Sequence, residues 1–339
     1  MRSSIPSNLG ILHSLLWILQ TANAKTYGWN HAPVQKDSPL VSENFRDVSV
    51  ELLSPAFADP ETINPGWSNG TQGPTSHETL GESKMPESKY RYFLTPGLEH
   101  FVSSIVQRNE WASLHIPDFK SEEGRTLPLV FLSSSSQSPD RPGDNAGQKL
   151  RVWIQGAIHG NEPAADQAAL ALLGKLDANQ TWAAALLEKL DILLLPRYNA
   201  DGVAYFQREL ASNLDPNRDH TKLARQQTRD IKKIVGAFSP HIVVDLHEFT
   251  GTFRAGNYIH GVDSLLSYGR NLNVHKDIRS LTRDLFIENI GASLEEHGLR
   301  WEWYVTGSRW DPTPGSEISL QESGIAARTG MGAYGLLRK

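Results

Sequence analysis

The chain has 339 residues, of which 39% are hydrophobic, and its formal net charge is -5 at pH 7. A chain of this length can bury one large core or two smaller ones, so its length does not require two domains. The acidic balance argues against a nucleic acid or an anionic membrane surface as a partner held by bulk electrostatics.

The N-terminus has the pattern of a secretory signal peptide over residues 1–24. Arg2 supplies a positive charge, residues 11–19 form a short apolar stretch, and Ala22-Asn23-Ala24 offers a small-x-small cleavage site. An ordinary N-terminal helix is the competing interpretation, but the stretch is too short to span a bilayer. We therefore expect a secreted, extracellular protein without a membrane partner. Cysteine is absent, which excludes disulfide bonds and thiolate metal ligands.

Two stretches rich in proline, glycine and small polar residues interrupt the chain. Residues 54–89 and 133–148 contain few apolar side chains, and this composition is typical of loops. After the signal peptide, we therefore predict a loop-rich segment at 25–89, which is long enough to hold a short propeptide, and one domain at 90–339.

Within that domain, the apolar pattern alternates between helical and strand spacing. It predicts a helix at 98–106, a strand at 127–132, a strand at 150–158, a helix at 163–176, a strand at 192–195, a helix at 221–238 and a strand at 242–246. Strands that alternate with helices in this way predict an α/β fold with a largely parallel sheet and helices on both faces.

Two histidines and a glutamate lie where predicted strands end. His159 follows the strand at 150–158, Glu162 begins the next helix, and His247 follows the strand at 242–246. Because ligands collect at the carboxyl ends of parallel strands, these side chains can converge. Two imidazoles and a carboxylate are typical ligands of a catalytic zinc ion whose fourth position takes water. We predict one Zn2+ per chain; hydrogen-bonded loop histidines are the alternative.

A second group of polar residues lies between these candidate ligands. Asn217 and Arg218 are adjacent and offer an amide and a planar guanidinium, which together can bind a carboxylate. Arg208 can stabilise an oxyanion formed when water attacks a carbonyl. For either arginine considered alone, a surface salt bridge is the competing interpretation.

Taken together, these motifs resemble those of the zinc carboxypeptidase family related to carboxypeptidase A. The motifs are Ser121-Glu122-Glu123-Gly124-Arg125, His159-x-x-Glu162, Asn199-Ala-Asp-Gly202, Arg208, Asp215-Pro-Asn217-Arg218 and Asp245-Leu-His247-Glu248. The resemblance covers roughly residues 90–339. It implies a mixed, largely parallel eight-stranded sheet with helices on both faces, and hydrolysis of C-terminal peptide bonds through zinc-activated water.

The resemblance also implies a role for each residue of the metal site. His159, Glu162 and His247 would bind the zinc ion. Asp215 would accept the free ring N–H of His159 and thereby fix the tautomer of this ligand.

For the substrate, the resemblance implies a peptide or protein with a free C-terminus. Asn217 and Arg218 would bind its terminal carboxylate, and Arg208 would polarise the scissile carbonyl. The side-chain specificity and the oligomeric state are not determined by the sequence.

The chain departs from the family pattern in three places. Ala200 stands where the family usually has proline, and Pro216 stands where it usually has an apolar residue. The third departure concerns the general-base glutamate, which the family carries at the end of a late apolar strand. Glu322 follows a stretch with too little apolar content for such a strand, so it is only a fallback candidate for the general base. Tyr304 is a weak candidate for the tyrosine that the family holds over the substrate. We therefore expect the catalytic glutamate, the last strand and the last helix to be missing from this sequence.

Other interpretations stay open. A zinc-dependent deacylase of N-acyl amino acids would use the same zinc ligands and the same Asn-Arg pair. A nonenzymatic peptide-binding relative would keep zinc and Arg218 but lack the base. A chain without its final strand would also expose a sheet edge, which is unfavourable for stable folding.

Overall fold

The computed structural model describes residues 96–134, 149–205, 207–249, 254–255, 258–259, 262–307 and 320–322. The signal peptide predicted at 1–24 and the loop-rich segment predicted at 25–89 lie outside the described residues. Among the residues that are described, no helix combines the length and the apolar character needed to cross a bilayer.

The first group of elements builds a central sheet and the helices that cover it. These elements are α1 (Pro96–Arg108), β1 (Ala112–His115), β2 (Leu129–Leu132), β3 (Leu150–Gln155), α2 (Pro163–Ala178), α3 (Gln180–Leu187), β4 (Leu190–Leu195), α4 (Ala200–Tyr205), a short 3-10 helix (Pro216–Arg218), α5 (Gln226–Phe238) and β5 (Ile242–Asp245).

The second group consists of short strands and a helical segment. It comprises β6 (Arg254–Ala255), β7 (Tyr258–Ile259), β8 (Ser264–Leu266), α6 (Lys276–Leu281), a π-helical segment (Thr282–Ile287), α7 (Glu288–Glu296), β9 (Trp301–Trp303), β10 (Val305–Gly307) and β11 (Leu320–Glu322). Three two-stranded pairings are present among the described residues of this group, namely β6 with β7, β8 with β9, and β10 with β11.

The central sheet is mixed and has the strand order β1-β2-β4-β3-β5. β3 pairs in parallel with β4 and β5, whereas β2 pairs antiparallel with β1 and β4. The predicted α/β class with a mixed sheet is therefore confirmed. The described residues supply five strands of this sheet, and the count of eight strands stays a prediction.

Both faces of this sheet are buried. In β3, Val152 and Ile154 point into a core shared with α1, α2 and α3, whereas Trp153 points into a second core with α5. Successive side chains of a strand alternate between faces, so a strand buried on both faces reads as a continuous apolar run. That is why the runs in β3 and β4 were recognisable in the sequence.

Most predicted boundaries agree with the structure within two residues, but two do not. The strand predicted at 150–158 ends at Gln155, because the next residues turn away from the sheet and Ala157 has φ of 49°. The helix predicted at 221–238 begins at Gln226. Before it, the Asp219 carboxylate accepts the backbone N–H groups of Ala224 and Arg225 at 2.8 and 2.9 Å, and this loop replaces the first helical turn.

Two of the sequence motifs meet in a buried ion pair that fixes α4. Arg125 Nη1 lies 2.5 Å from Asp201 Oδ1, and both side chains are almost fully buried. The hydroxyl of Ser121 donates to the same carboxylate oxygen at 2.7 Å. A buried charge is costly unless it is paired and hydrogen-bonded, and these contacts explain how both motifs can carry a buried charged residue.

Gly160 allows the loop after β3 to pack closely on α4. A Cβ at this position would lie 1.9 Å from the carbonyl carbon of Gly202. We therefore expect Gly160→Ala to lower the free energy of unfolding by about 1–3 kcal/mol, as overpacking commonly does. Gly236→Ala in α5, where an added Cβ would contact no atom within 4 Å, should be neutral or stabilising by about 0.5–1 kcal/mol. Urea denaturation of both variants tests this, and equal midpoints would contradict it.

Candidate metal centre

The pairing of two strands positions the three candidate ligands. β3 and β5 are adjacent and parallel, and their register places Gln155 opposite Asp245. The pairing extends one step further, because the backbone N–H of Leu246 donates to the carbonyl of Gln155 at 2.9 Å. His247 therefore leaves the sheet beside the loop that carries His159.

The three side chains converge on one small volume. His159 Nδ1 lies 2.6 Å from Glu162 Oε1, and His247 Nδ1 lies 2.7 Å from Glu162 Oε2. One donor atom from each residue lies within 4.8 Å of the others. Two imidazole nitrogens and a carboxylate in this span match the donor set and reach of a zinc site. The same contacts also hydrogen-bond both histidines to Glu162.

A carboxylate lies behind each imidazole. Asp215 Oδ1 is 3.3 Å from Nε2 of His159, and Asp245 Oδ2 is 3.4 Å from Nε2 of His247. With a carboxylate on the Nε2 side of each ring, the Nδ1 atoms face the centre. The resemblance implied the contact of Asp215. The contact between Asp245 and His247 was not predicted. The sequence did contain a signal for it, because Asp245 is a carboxylate in an apolar strand, two residues before a candidate ligand.

The pKa values of Glu162 and His247 are strongly shifted by their neighbours. Burial raises the pKa of Glu162, but hydrogen bonds and charge from His159 and His247 outweigh burial and lower this pKa to about 2. For His247, burial lowers the pKa, whereas Asp245 and Glu162 raise it, with a net result of about 10. A cation that takes Nδ1 of His247 must therefore displace a proton.

Arg208 reaches the ligand cluster from the side of Asp215. Its Nε and Nη2 lie 3.0 and 2.9 Å from Asp215 Oδ2, and its Nη1 lies 3.2 Å from His159 Nδ1. Burial raises the pKa of Asp215, but His159 and Arg208 together lower it well below its usual range. The salt bridge that competed with a functional interpretation of Arg208 thus exists, and it lies at the site.

Asn217 and Arg218 occupy the short 3-10 helix beside the ligands. Asn217 is buried, and its Nδ2 lies 3.3 Å from His247 Nε2. Arg218 is exposed, and its Nη1 donates to the carbonyl of Asn217 at 2.8 Å. The structure therefore brings Asn217 into contact with the ligand cluster and leaves the adjacent guanidinium accessible to a solute.

Glu248 is a further acidic residue at the site, and the sequence reasoning gave it no role. Its carboxylate accepts the backbone N–H of Ala164 at 2.9 Å. Burial raises the pKa of Glu248, the hydrogen bond from Ala164 lowers it, and the carboxylates of Glu162 and Asp166 raise it further.

The fallback candidates are not brought to this centre by any described contact. Glu322 lies in β11, where its backbone pairs with Val305; its side chain is not among those that the structure describes. Tyr304 is 37% exposed, and its backbone N–H donates to the carbonyl of Leu266 at 2.8 Å. Their catalytic roles stay predictions.

Comparison with known proteins points to one family. The family model described as zinc carboxypeptidase matches residues 114–283. A Trichophyton verrucosum (strain HKI 0517) protein assigned as carboxypeptidase 2 is 47% identical over 319 residues, which is 93% of this chain and 57% of the relative. Carboxypeptidase 2 of Trichophyton rubrum is 46% identical over 318 residues, which is 93% of this chain and 55% of the relative. The chain thus spans little more than half the length of these curated relatives.

Solved structures share the fold at low sequence identity. A Shewanella denitrificans OS-217 protein assigned as a carboxypeptidase A superposes with a TM-score of 0.52 at 19% identity, over 71% of this chain and 56% of that chain. A Burkholderia mallei ATCC 23344 protein assigned as a carboxypeptidase gives a TM-score of 0.51 at 16% identity over the same shares. These two similarities support the fold alone.

Behind the ligands lies a buried imidazole that makes stability depend on pH. His220 is fully buried, and burial lowers its pKa to about 4, while the charges of Asp245 and Asp219 oppose this change. An unfolded histidine titrates near 6.5. Between these two values the unfolded state binds more protons than the folded state, so stability decreases as the pH falls through this window.

We expect His220→Gln to remove the pH dependence of stability that comes from the lowered pKa of His220. The free energy of unfolding of the metal-free wild type should fall by up to about 3 kcal/mol more than that of the variant between pH 7 and pH 4. Urea denaturation at a series of pH values measures this difference, and His220→Asn should give the same result because neither amide titrates. Parallel stability curves for wild type and variants would show that His220 is not buried in its neutral form.

Proposed function

The chain belongs to the zinc carboxypeptidase family, and on this premise we propose that it is a secreted metallocarboxypeptidase acting on the C-terminus of peptides or proteins. The observation that carries the proposal is the convergence of His159, Glu162 and His247 within 4.8 Å. Relatives named carboxypeptidase 2 support the activity. The pattern of residues 1–24 supports export.

We propose one zinc ion per chain, held by His159 Nδ1, His247 Nδ1 and the carboxylate of Glu162. When bound, zinc supplies Lewis acidity toward water and the scissile carbonyl. The chain contributes the orientation of both rings, because Asp215 and Asp245 lie at the Nε2 atoms. Two neutral imidazoles and one carboxylate leave a divalent ion with a net charge of +1, which preserves its electrophilic character.

The substrate's terminal carboxylate would bind to Asn217 and Arg218. Arg218 is exposed and directly follows the buried Asn217, so an incoming carboxylate can reach the guanidinium. A guanidinium binds a carboxylate through two parallel hydrogen bonds, which fixes its orientation as well as its position. The amide of Asn217 connects this subsite to the ligands, since it lies 3.3 Å from His247 Nε2.

Arg208 would stabilise the negative charge that develops on the carbonyl oxygen of the scissile bond. Asp215 binds Nε and Nη2 of Arg208, so the guanidinium plane is fixed and Nη1 is directed at the ligand cluster. A fixed donor costs no reorganisation when the charge develops, which is the source of its effect on rate. The general-base glutamate of this chemistry has no assigned position among the described residues.

Metal analysis tests the proposed centre. The purified protein should contain about one zinc ion per chain, and His159→Ala should lose it because the site would keep only two protein ligands. His297→Ala, at the exposed C-terminal end of α7, is the matched control and should retain zinc. A folded wild-type protein that takes up no zinc would refute the centre.

Matched peptides test the proposed substrate. A peptide with a free C-terminus should bind, whereas its C-terminally amidated form should not, because it lacks the carboxylate; hydrolysis of the bound peptide additionally requires a general base. Arg218→Ala should weaken binding of the free-carboxylate peptide by about 10–100-fold, since a hydrogen bond to a charged group contributes about 1.5–3 kcal/mol. Arg218→Lys should restore only part of this loss, and Arg300→Ala, which removes an exposed ion pair with Asp263, should have no effect.

Two results would favour the alternatives. Hydrolysis of N-acyl amino acids without hydrolysis of peptides would indicate a deacylase. Binding of the free-carboxylate peptide without turnover would indicate a chain that lacks the general-base glutamate, as a nonenzymatic peptide-binding relative does.

A further inference from the structure

Two hydrogen bonds cross between the segments that carry Glu162 and His247. The carboxylate of Glu248 accepts the backbone N–H of Ala164 at 2.9 Å. In the opposite direction, the backbone N–H of Glu248 donates to Glu162 Oε2 at 3.2 Å. Each segment therefore supplies one carboxylate and one backbone donor, and we call this pair of bonds the crossed clamp.

The crossed clamp replaces the usual cap of α2. Glu162 occupies the N-cap position, but its side chain makes no cap hydrogen bond, because its two oxygens face His159 and His247. Residue 163 is a proline and has no backbone N–H. Ala164 is therefore the first residue of α2 that has a donor, and Glu248 supplies its acceptor from a distant part of the chain.

The clamp acts where the sheet no longer holds the two segments together. The register of β3 and β5 ends at Gln155 and Asp245, followed by the bond from Leu246 to Gln155. His247 and Glu248 lie beyond this last backbone bond. The clamp therefore extends the connection between the two segments past the sheet, at the place where Glu162 and His247 must keep a fixed separation.

We propose that Glu248 is a positioning residue whose carboxylate fixes the start of α2 against the His247 segment and so sets the separation of Glu162 from His247. This inference rests on the proposed metal-binding function. Glu248 acts through the two ligands and touches neither substrate nor metal. Residues around metal ligands that fix their orientation typically change metal affinity by about 10–100-fold when they are removed.

Zinc affinity of four variants tests the clamp, measured by competition with a chromophoric chelator at constant pH. Glu248→Ala should bind zinc about 10–100-fold more weakly than the wild type. Glu248→Gln keeps an oxygen at the same reach and should lose less than about 10-fold, since a neutral acceptor forms a weaker but intact bond. Glu248→Asp keeps the charge but is shorter by one methylene, so its affinity should approach that of Glu248→Ala. Glu188→Ala, at the exposed C-terminal end of α3, is the control and should match wild type.

A second readout separates positioning of the ligands from a general effect on folding. The visible absorption spectrum of the Co2+-substituted protein should change in Glu248→Ala and Glu248→Asp and should be restored in Glu248→Gln. If Glu248→Ala does not fold, the zinc affinities and Co2+ spectra of Glu248→Gln and Glu248→Asp still test the clamp.

Three results have defined meanings. Wild-type zinc affinity in Glu248→Ala would overturn the clamp. Wild-type affinity in Glu248→Asp combined with a loss in Glu248→Gln would overturn it too, because charge rather than reach would then matter. A wild-type protein that binds no zinc would overturn the proposed centre itself, which is a separate outcome from failure of the clamp.

Discussion

The parallel pairing of β3 with β5 is the constraint on which the candidate centre depends. It brings together two segments that are about 90 residues apart in the chain, and it places Gln155 opposite Asp245. The amide of Gln155 donates to Asp245 Oδ1 at 2.9 Å, while the other oxygen of Asp245 lies near His247. A carboxylate at the end of an apolar strand is costly unless it is paired, and here its partners are the sheet on one side and a candidate ligand on the other.

The site concentrates negative charge around two imidazoles. Glu162, Asp215 and Asp245 all face the histidine rings, and Arg208 is the guanidinium that contacts this group within the described residues. Despite burial, Asp245 and, to a smaller extent, Glu162 raise the pKa of His247 to about 10. Such an arrangement favours a bound cation, because a divalent ion can replace the proton and interact with the carboxylate of Glu162.

The sequence predicted the elements with strong periodicity and the ligands at their ends. His159, Glu162 and His247 were accessible to sequence reasoning because strand ends meet at one edge of a parallel sheet. Contacts that depend on distant partners were less accessible. In the sequence, Glu248 is only the last residue of a motif. The fold is needed to show that its carboxylate accepts a hydrogen bond from the backbone N–H of Ala164. The early end of β3 was missed as well, because the backbone of Ala157 leaves the sheet while its side chain stays compatible with an apolar run.

The motifs identified in the sequence also include residues that hold backbone segments beside the centre. Arg125 and Asp201 form a buried ion pair that holds α4, and the backbone of Gly202 in α4 packs against Gly160. Gly160 directly follows His159, so this packing limits where the ligand loop can lie. A path of close contacts thus leads from a buried ion pair to a candidate metal ligand. Packed interiors have little free volume, so the buried ion pair limits where α4, and with it the loop that carries His159, can lie.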